Sequence, residues 1–270
     1  MSLHVDRYEH ACGESARTPL LLIHGWGMHG GMWQGVAEKL AQDFSVYALD
    51  LPGHGYSTKR DFQKGSASVQ ILDDIVDALS VQFKGPLNVC GWSLGGQLAL
   101  RWASRHSQQV ERLIMVASTP CFVRLPDWKY ALSVEILEEF AANLQQNYSQ
   151  TLRRFLSLQM RGSEQEREIL AVLREGLFSR GEPDLGALQA GLEILRGSDL
   201  RLDLPELQQE MLVLEGERDT MIPHQATRYL SSHAPRGRLV TIRGAAHAPF
   251  LSHPDEFVEH VVGFLNGNRA

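Results

Sequence analysis

The sequence predicts an α/β protein in which helices flank a mostly parallel central sheet and a helical segment interrupts the order of strands. Three observations predict this class: short apolar runs alternate with helical periodicity, the runs end in clusters of Gly, His, Asp or Pro, and residues 126–195 contain only helical periodicity. The chain has 270 residues, of which 43% are hydrophobic and 21% charged. It is therefore long enough to bury a sizeable core as one large domain with an insertion.

The first half of the chain alternates strand-like and helix-like segments. Short apolar runs bounded by turn residues are typical of strands that are buried on both faces, and spacings of three and four residues are typical of helices. The predicted strands are 19–23, 45–49, 87–90 and 112–116, and the predicted helices are 32–40, 68–81 and 96–104. Such a βαβ series packs most simply as a parallel sheet covered by helices.

The strand pattern stops after residue 122 and resumes near residue 211. Strands are predicted at 211–214 and 238–242, with helices at 225–232 and 255–265. Between the two parts, apolar residues recur at helical spacing, as in Leu137, Phe140 and Leu144. We therefore predict a core domain of residues 1–122 and 198–270 and a helical lid of residues 123–197, since long insertions at strand ends often cover active sites.

Composition and charge exclude several classes of function. A net charge of -6 and a pI near 6.0 argue against nucleic-acid binding. No apolar run approaches the roughly 20 residues of a membrane span, and the first residues lack the apolar block of a signal peptide, so we expect no membrane partner and a cytoplasmic location. Cys12, Cys90 and Cys121 are scattered and odd in number, which predicts reduced thiols. Because no metal-ligand spacing occurs, neither a metal nor a cofactor is expected.

The sharpest motif is Gly91-Trp92-Ser93-Leu94-Gly95, which has the form Gly-x-Ser-x-Gly between a predicted strand and a predicted helix. An abrupt strand-to-helix turn strains the backbone of its central residue, and small flanking residues permit that geometry. The hydroxyl of Ser93 would then stand above the sheet as a nucleophile. The helix that follows directs free N–H groups and the positive end of its dipole at the same point.

A serine hydroxyl needs a base to remove its proton and a third group to orient that base. Asp219 and His247 each follow a predicted strand, which places them at the same sheet edge as Ser93. The chain order Ser, Asp, His is that of one class of serine hydrolases and differs from the chymotrypsin and subtilisin orders. The identity of the acid stays open at this point, since Glu217 lies two residues before Asp219.

Acyl transfer also needs two N–H donors aimed at the developing oxyanion. The residue after the nucleophile, Leu94, supplies one backbone N–H, and Trp26 in an early glycine-rich loop is the natural second donor. The Trp26 ring either walls an acyl pocket or packs under the lid.

The same loop permits a rival interpretation. Gly25, Gly27 and Gly30 spell G-x-G-x-x-G after a strand, and Asp50 ends the next strand, as in a dinucleotide-binding fingerprint. That interpretation explains none of the serine, aspartate and histidine above, so a hydrolase is favoured.

These motifs resemble the α/β-hydrolase superfamily at residues 24–27, 50–55, 91–95, 216–223 and 244–250. More narrowly, residues 91–96, 117–122, 154–159, 191–195 and 245–254 resemble the pimeloyl-[acyl-carrier protein] methyl ester esterases of biotin synthesis, which release methanol from a carrier-linked ester. The resemblance implies an α/β-hydrolase fold and a set of substrate contacts: Trp26, Ser93, Leu94, Phe155, Leu156, Ser157, Leu158, Gln159 and His247.

The resemblance also implies an acyl carrier protein as partner, held by basic residues of the lid. The candidates are Arg153, Arg154, Arg161 and Arg167. The family pattern is matched imperfectly, with Gln150 and Ala171 at two expected arginine positions. The stretch from Arg153 to Arg161 contains no acidic residue, whereas glutamates interleave with the later arginines as on an ordinary solvated helix.

Three classes of function remain open on the residues alone. The first is a serine carboxylesterase. The second is another enzyme of the same fold, such as a general short-acyl esterase, a carbon–carbon bond hydrolase or a lactonase, because fold and triad do not choose a substrate. The third is a noncatalytic ligand-binding protein, which the intact set of Ser93, Asp219 and His247 disfavours.

Overall fold

The computed structural model describes residues 2–10, 17–60, 62 and 65–267, and Cys12 lies outside these residues. Within the described ranges the strands form one seven-stranded sheet of order β1-β3-β2-β4-β5-β6-β7. Their bounds are β1 Val5–Tyr8, β2 Leu20–Ile23, β3 Val46–Leu49, β4 Leu87–Trp92, β5 Val110–Val116, β6 Glu210–Gly216 and β7 Gly237–Ile242. The predicted α/β class with a mostly parallel sheet is confirmed.

The strand β1 is the one antiparallel member of this described sheet, and the sequence did not predict it. It pairs with β3 at the sheet edge, with Val5 opposite Leu49. Its four residues include Asp6 and Arg7 and are half-buried or exposed. An edge strand of this kind lacks the continuous apolar run by which the buried strands are recognised.

Helices cover the sheet and fill the interval between β5 and β6. Their bounds are α1 Gln34–Leu40, α2 Ser68–Gln82, α3 Leu94–Arg105, α4 Val134–Met160, α5 Glu166–Gly176, α6 Leu185–Gly197, α7 His224–His233, α8 Pro249–Ser252 and α9 Pro254–Leu265. The predicted helix at 32–40 is split, because Gly30–Trp33 forms a 3₁₀ turn before α1 begins. No helix in the described part of the chain is long and apolar enough to span a bilayer.

The insertion helices α4, α5 and α6 lie between β5 and β6 in the chain. Helix α4 breaks at Asn147, whose backbone leaves the helical region at φ -154° and ψ 81°. The Asn147 side chain accepts a hydrogen bond from the Gln150 N–H (3.1 Å) and so caps the second half of the helix. Helix α6 packs against both α4 and α2, which joins the insertion to the core.

The parallel register brings the ends of four strands level. Trp92 of β4 pairs with Val116 of β5, and Gly216 of β6 pairs with Ile242 of β7. Because parallel strands share a direction, the loops that follow these residues leave the sheet at one edge. The segments that carry Ser93, Asp219 and His247 all begin there.

Candidate active site

The turn at Ser93 is strained as the motif predicts. Ser93 has φ 56° and ψ -115°, and α3 begins at the next residue. A Cβ atom on Gly91 would lie 2.2 Å from the Gly95 carbonyl oxygen, and one on Gly95 would lie 2.4 Å from the Ile23 carbonyl oxygen. A side chain at either flanking position would therefore clash with neighbouring backbone. Only glycine there allows the strand, the turn and the helix to pack this closely.

The backbone of Ser93 is anchored on both sides. Its N–H donates to the Val116 carbonyl (2.9 Å), and its own carbonyl accepts from the Ser118 hydroxyl (2.8 Å). The serine is only 2% exposed. The strained conformation is thus fixed by β5 and the loop after it, and not by the side chain of Ser93 itself.

Asp219 and His247 are in direct contact. The Nδ1–H of His247 donates to Asp219 Oδ2 at 2.8 Å, and the two side chains are 1% exposed or less. The other carboxylate oxygen accepts the backbone N–H groups of Met221 (2.8 Å) and Ile222 (3.0 Å). The carboxylate is therefore fixed in a water-poor environment, where it orients the imidazole and leaves Nε2 of His247 directed elsewhere.

The rival acid Glu217 has a different partner. Its carboxylate accepts the Gly244 N–H at 3.0 Å, and the residue is exposed. This contact joins the loop after β6 to the loop after β7. The geometry therefore favours Asp219 over Glu217 as the partner of the histidine.

The backbone of His247 is held from the core and from the insertion. The Trp92 indole N–H donates to the His247 carbonyl (2.8 Å), and the His247 N–H donates to the carbonyl of Gln159 (3.2 Å) at the end of α4. Sequence reasoning found neither contact, because both partners are distant in the chain. The position of the imidazole therefore depends on β4 and on α4 together.

The Trp26 side chain lies under the insertion. Its indole N–H donates to the Leu188 carbonyl of α6 (2.8 Å), and its ring meets Phe155 edge-on with 4.8 Å between centroids. A Cβ atom on Gly191 would lie 2.6 Å from Trp26 Cδ1. The ring thus packs under the insertion, against α6 and beside an aromatic residue of α4, and its role as a wall of an acyl pocket stays a prediction.

Asp50 organises the loop that carries Trp26. Its fully buried carboxylate accepts the backbone N–H groups of Gly30 (2.6 Å) and Tyr56 (2.9 Å) and pairs with Arg180 (3.2 Å) from the insertion. These contacts use the carboxylate that a dinucleotide site would offer to a ribose hydroxyl. The glycines of the G-x-G-x-x-G pattern therefore belong to a loop that internal hydrogen bonds hold in place.

Buried histidines stabilise the same loops in their neutral form. His24 accepts the Leu51 N–H on Nε2 (3.0 Å) and donates from Nδ1 to the Gly25 carbonyl (2.8 Å). Burial lowers the pKa of His24 well below its usual value near 6.5, and it also lowers the pKa of His29 and of His54. Protonation of any of them would charge a group that has been removed from water.

We expect acid to destabilise the protein through these histidines. In the unfolded chain they bind protons below about pH 6.5, whereas the folded chain binds them only at lower pH, so the free energy of unfolding falls as pH drops below about 6.5. Each histidine contributes up to about 1.4 kcal/mol per pH unit. Denaturant unfolding of wild type and His54→Gln between pH 7.5 and 5.5 measures this: the variant should show a shallower fall, and parallel curves would contradict the assignment.

The contact residues predicted in α4 do not all face inwards. Phe155, Leu156 and Gln159 are buried, and Leu158 is half-buried. The Ser157 hydroxyl instead donates to the Arg153 carbonyl one turn earlier (3.0 Å). The buried members present a mostly apolar surface next to Trp26 and His247.

The basic stretch of α4 has an acidic neighbour from another part of the same helix. Arg154 forms an ion pair with Glu139 (2.6 Å) from the first half of α4, although both side chains are more than half exposed. The break at Asn147 turns the two halves of the helix towards each other. Arg153 lies over the Phe178 ring at 5.7 Å, and Arg161 and Arg167 are exposed.

The described residues form neither a metal site nor a reactive thiol. Among the described residues, no group of three or more His, Cys, Asp or Glu side chains is arranged to hold a metal ion. Cys90 and Cys121 are buried free thiols. Burial raises the pKa of Cys121 to about 11, which keeps it protonated and unreactive.

Comparison with known proteins agrees with this geometry. The family model described as alpha/beta hydrolase fold matches residues 18–254. The chain belongs to the α/β-hydrolase family. A relative in Nitrosomonas europaea named pimeloyl-[acyl-carrier protein] methyl ester esterase is 44% identical over 88% of this chain and 92% of its own length. A relative of the same name in Xylella fastidiosa is 40% identical over 91% of this chain and 94% of its own length.

A solved α/β-hydrolase structure agrees over nearly the whole length of the chain. The esterase of Exiguobacterium antarcticum superposes with a TM-score of 0.83 over 98% of this chain and 95% of that one, at 18% identity. At that identity the likeness concerns the fold alone. The sequence relatives, in contrast, are 40–44% identical over 88% and 91% of this chain.

Proposed function

We propose that this α/β-hydrolase is a serine carboxylesterase in which Ser93, His247 and Asp219 form the catalytic triad. The observation that carries the proposal is the 2.8 Å contact between His247 Nδ1 and Asp219, formed at the sheet edge where Ser93 occupies a strained turn. A buried carboxylate that orients an imidazole prepares it to take the proton of a serine hydroxyl, which activates the serine as a nucleophile. A noncatalytic binding protein has no need of this arrangement.

In the proposed reaction Ser93 Oγ attacks the ester carbonyl carbon while His247 Nε2 takes the hydroxyl proton. The backbone N–H groups of Leu94 and Trp26 stabilise the oxyanion. The carbon–alkoxide bond then breaks, and His247 returns its proton to the departing alcohol. Water hydrolyses the acyl-enzyme by the same sequence and regenerates Ser93.

The substrate we propose is the methyl ester of pimeloyl-[acyl-carrier protein], cleaved to pimeloyl-[acyl-carrier protein] and methanol in biotin synthesis in the cytoplasm. The names of the relatives support it, and so does the match to them over 88% and 91% of this chain. In this assignment residues 123–197 act as a lid whose apolar face, with Phe155 and Leu156, contacts the acyl chain. Since Ser93 is 2% exposed, the ester enters by separating the lid from the core.

The substrate is tested by product analysis with the carrier-linked methyl ester. We expect stoichiometric methanol and free acid from wild type and none from a Ser93→Ala control. Hydrolysis of small esters or lactones without turnover of the carrier-linked ester would instead favour a general esterase or a lactonase of the same fold.

Carrier docking at the arginines of α4 is the finer part of this proposal. The chain carries a net charge of -6, so attraction to an acidic carrier requires a local basic surface. Arg153, Arg154 and Arg161 supply one, and Arg167 extends it. The pairing of Arg154 with Glu139 weakens that surface, but the pair is exposed and exchanges readily with a partner carboxylate.

We expect Arg154→Glu to lower kcat/KM for the carrier-linked ester about 10-fold and to leave a small neutral methyl ester within about 2-fold, because it reverses a charge that attracts the acidic carrier and not a neutral ester. Raising the salt to 1 M, where the Debye length is roughly 3 Å, should produce the same divergence in wild type. Arg228→Glu on α7 is the matched control, since it is equally exposed and lies on the core. Equal losses on both substrates would indicate damage to the lid, and no loss on either would place docking elsewhere.

A further inference from the structure

Gln159 carries a polar group that the fold leaves without a partner. The residue is 1% exposed, and both its amide nitrogen and its amide oxygen lack a hydrogen-bond partner among the described residues. Burying a carboxamide unpaired costs roughly 1–3 kcal/mol per lost hydrogen bond in protein measurements. Such a group is retained against that cost when a ligand pairs with it in the working state.

The other buried glutamines each use at least the amide nitrogen in a hydrogen bond, although the amide oxygen of Gln97 also lacks a partner among the described residues. Gln209 donates to the carbonyls of Ala103 (3.3 Å) and Ser107 (3.1 Å), and Gln97 donates to the Pro120 carbonyl (3.3 Å). Each therefore binds backbone within the core. Gln159 differs because neither of its amide atoms is used in this way.

The residue that carries the unpaired amide is in backbone contact with the catalytic base. The Gln159 carbonyl accepts the His247 N–H at 3.2 Å, so the two residues are in backbone contact. Nε2 of His247 is likewise buried and unpartnered within the described chain. One turn earlier on the same helix, Phe155 and Leu156 are buried apolar side chains, and Phe155 meets the Trp26 ring edge-on.

We propose that Gln159 positions the water that hydrolyses the acyl-enzyme. This inference rests on the proposed serine-esterase chemistry and adds a residue to its second half. The methylene groups of an acyl chain cannot pair with a carboxamide, whereas a water molecule has two hydrogens and two lone pairs. One hydrogen bonds to the Gln159 amide oxygen and the other to His247 Nε2, which leaves a lone pair for the acyl carbon.

The step balances without any other reactant. The water oxygen bonds to the acyl carbon as His247 Nε2 takes one of its protons, and the bond from that carbon to Ser93 Oγ breaks as His247 returns the proton to Ser93. The Gln159 amide is unchanged. Because Gln159 acts on water, it affects deacylation and leaves acylation, in which Ser93 itself is the nucleophile, intact.

Gln159→Leu tests this on a small p-nitrophenyl ester, which does not require the carrier. We expect deacylation to slow roughly 10- to 100-fold. As a result kcat and KM should fall together while kcat/KM, which reports acylation, stays within about 3-fold of wild type. A burst of about one equivalent of p-nitrophenol and a Ser93 acyl adduct in the intact mass should appear.

Two further variants make the outcome decisive. Gln209→Leu is the matched control, since it also removes a buried carboxamide. Gln209 lies next to the start of β6, at the sheet edge opposite the site, so this variant should produce no acyl adduct. Gln159→Asn keeps the carboxamide but shortens its reach, and should show the same defect in a milder form.

A fall in kcat/KM with no accumulated acyl-enzyme would overturn the inference and make Gln159 a substrate contact. Unchanged kinetics in Gln159→Leu would overturn it as well. Neither result would affect the proposed triad, which the Ser93 and Asp219 variants test separately. A melting temperature of Gln159→Leu at or above that of wild type is expected, because the substitution removes a buried unpaired group.

Discussion

Replacing Ser93 by alanine should lower esterase kcat by about five orders of magnitude, since loss of the nucleophile alone removes nearly the whole contribution of a triad. The fold should survive. The Ser93 side chain makes no capping hydrogen bond to α3, and the backbone contacts to Val116 and Ser118 do not involve its hydroxyl. A melting temperature within a few degrees of wild type is therefore expected.

The measurement pairs initial rates on a small methyl ester with thermal unfolding of the same preparation. Residual turnover should not respond to a serine-directed phosphonate, which labels only the wild-type protein. A folded Ser93→Ala protein that hydrolyses the ester at near the wild-type rate would remove Ser93 from the mechanism and with it the proposed function.

The core strands could be predicted because a strand that is buried on both faces consists of a short run of apolar residues. Residues 19–23 and 87–90 identify β2 and β4 within one or two residues, and both strands are fully buried. A parallel sheet then places the loop residues that follow its strands at one edge. That is why Ser93, Asp219 and His247 could be grouped although they are far apart in the chain.

The edge strand and the shape of the insertion could not be predicted in the same way. β1 is half-exposed and carries two charges, so its pattern resembles a loop. The break in α4 occurs at Asn147, within a polar run whose sequence does not indicate an interruption of the helix. Its consequence, the pairing of Arg154 with Glu139, follows from the angle between two helix halves and not from residue type.

The contacts that set the positions of the site residues are the least predictable, because they join segments that are far apart in the chain. The Trp92 indole bonds to a carbonyl beside the imidazole, and Arg180 of the insertion reaches the carboxylate of Asp50. Neither residue type indicates such a role. From its type alone, a tryptophan is expected to pack in the core and an arginine to lie at the surface. Each takes on its positioning role only when the folded loops bring its partner close.

Replacing Asp219 by asparagine should lower kcat by roughly 10³- to 10⁴-fold with little loss of stability, as the equivalent change does in another serine hydrolase. The asparagine oxygen still accepts the N–H groups of Met221 and Ile222, so the loop after β6 keeps its conformation. Its NH₂ then faces Nδ1 of His247 and donates to it. That hydrogen bond favours the imidazole tautomer whose Nε2 carries the proton, and this tautomer cannot take a proton from Ser93.

Glu217→Gln provides the matched control for the acid, since it removes one carboxylate from the same loop. The glutamine oxygen can still accept the Gly244 N–H, so activity within about 3-fold of wild type is expected. Activity retained in Asp219→Asn together with a large loss in Glu217→Gln would reassign the acid to Glu217. The two carboxylates lie in one loop, but only the 2.8 Å contact of Asp219 connects to the imidazole, and kcat should follow that contact.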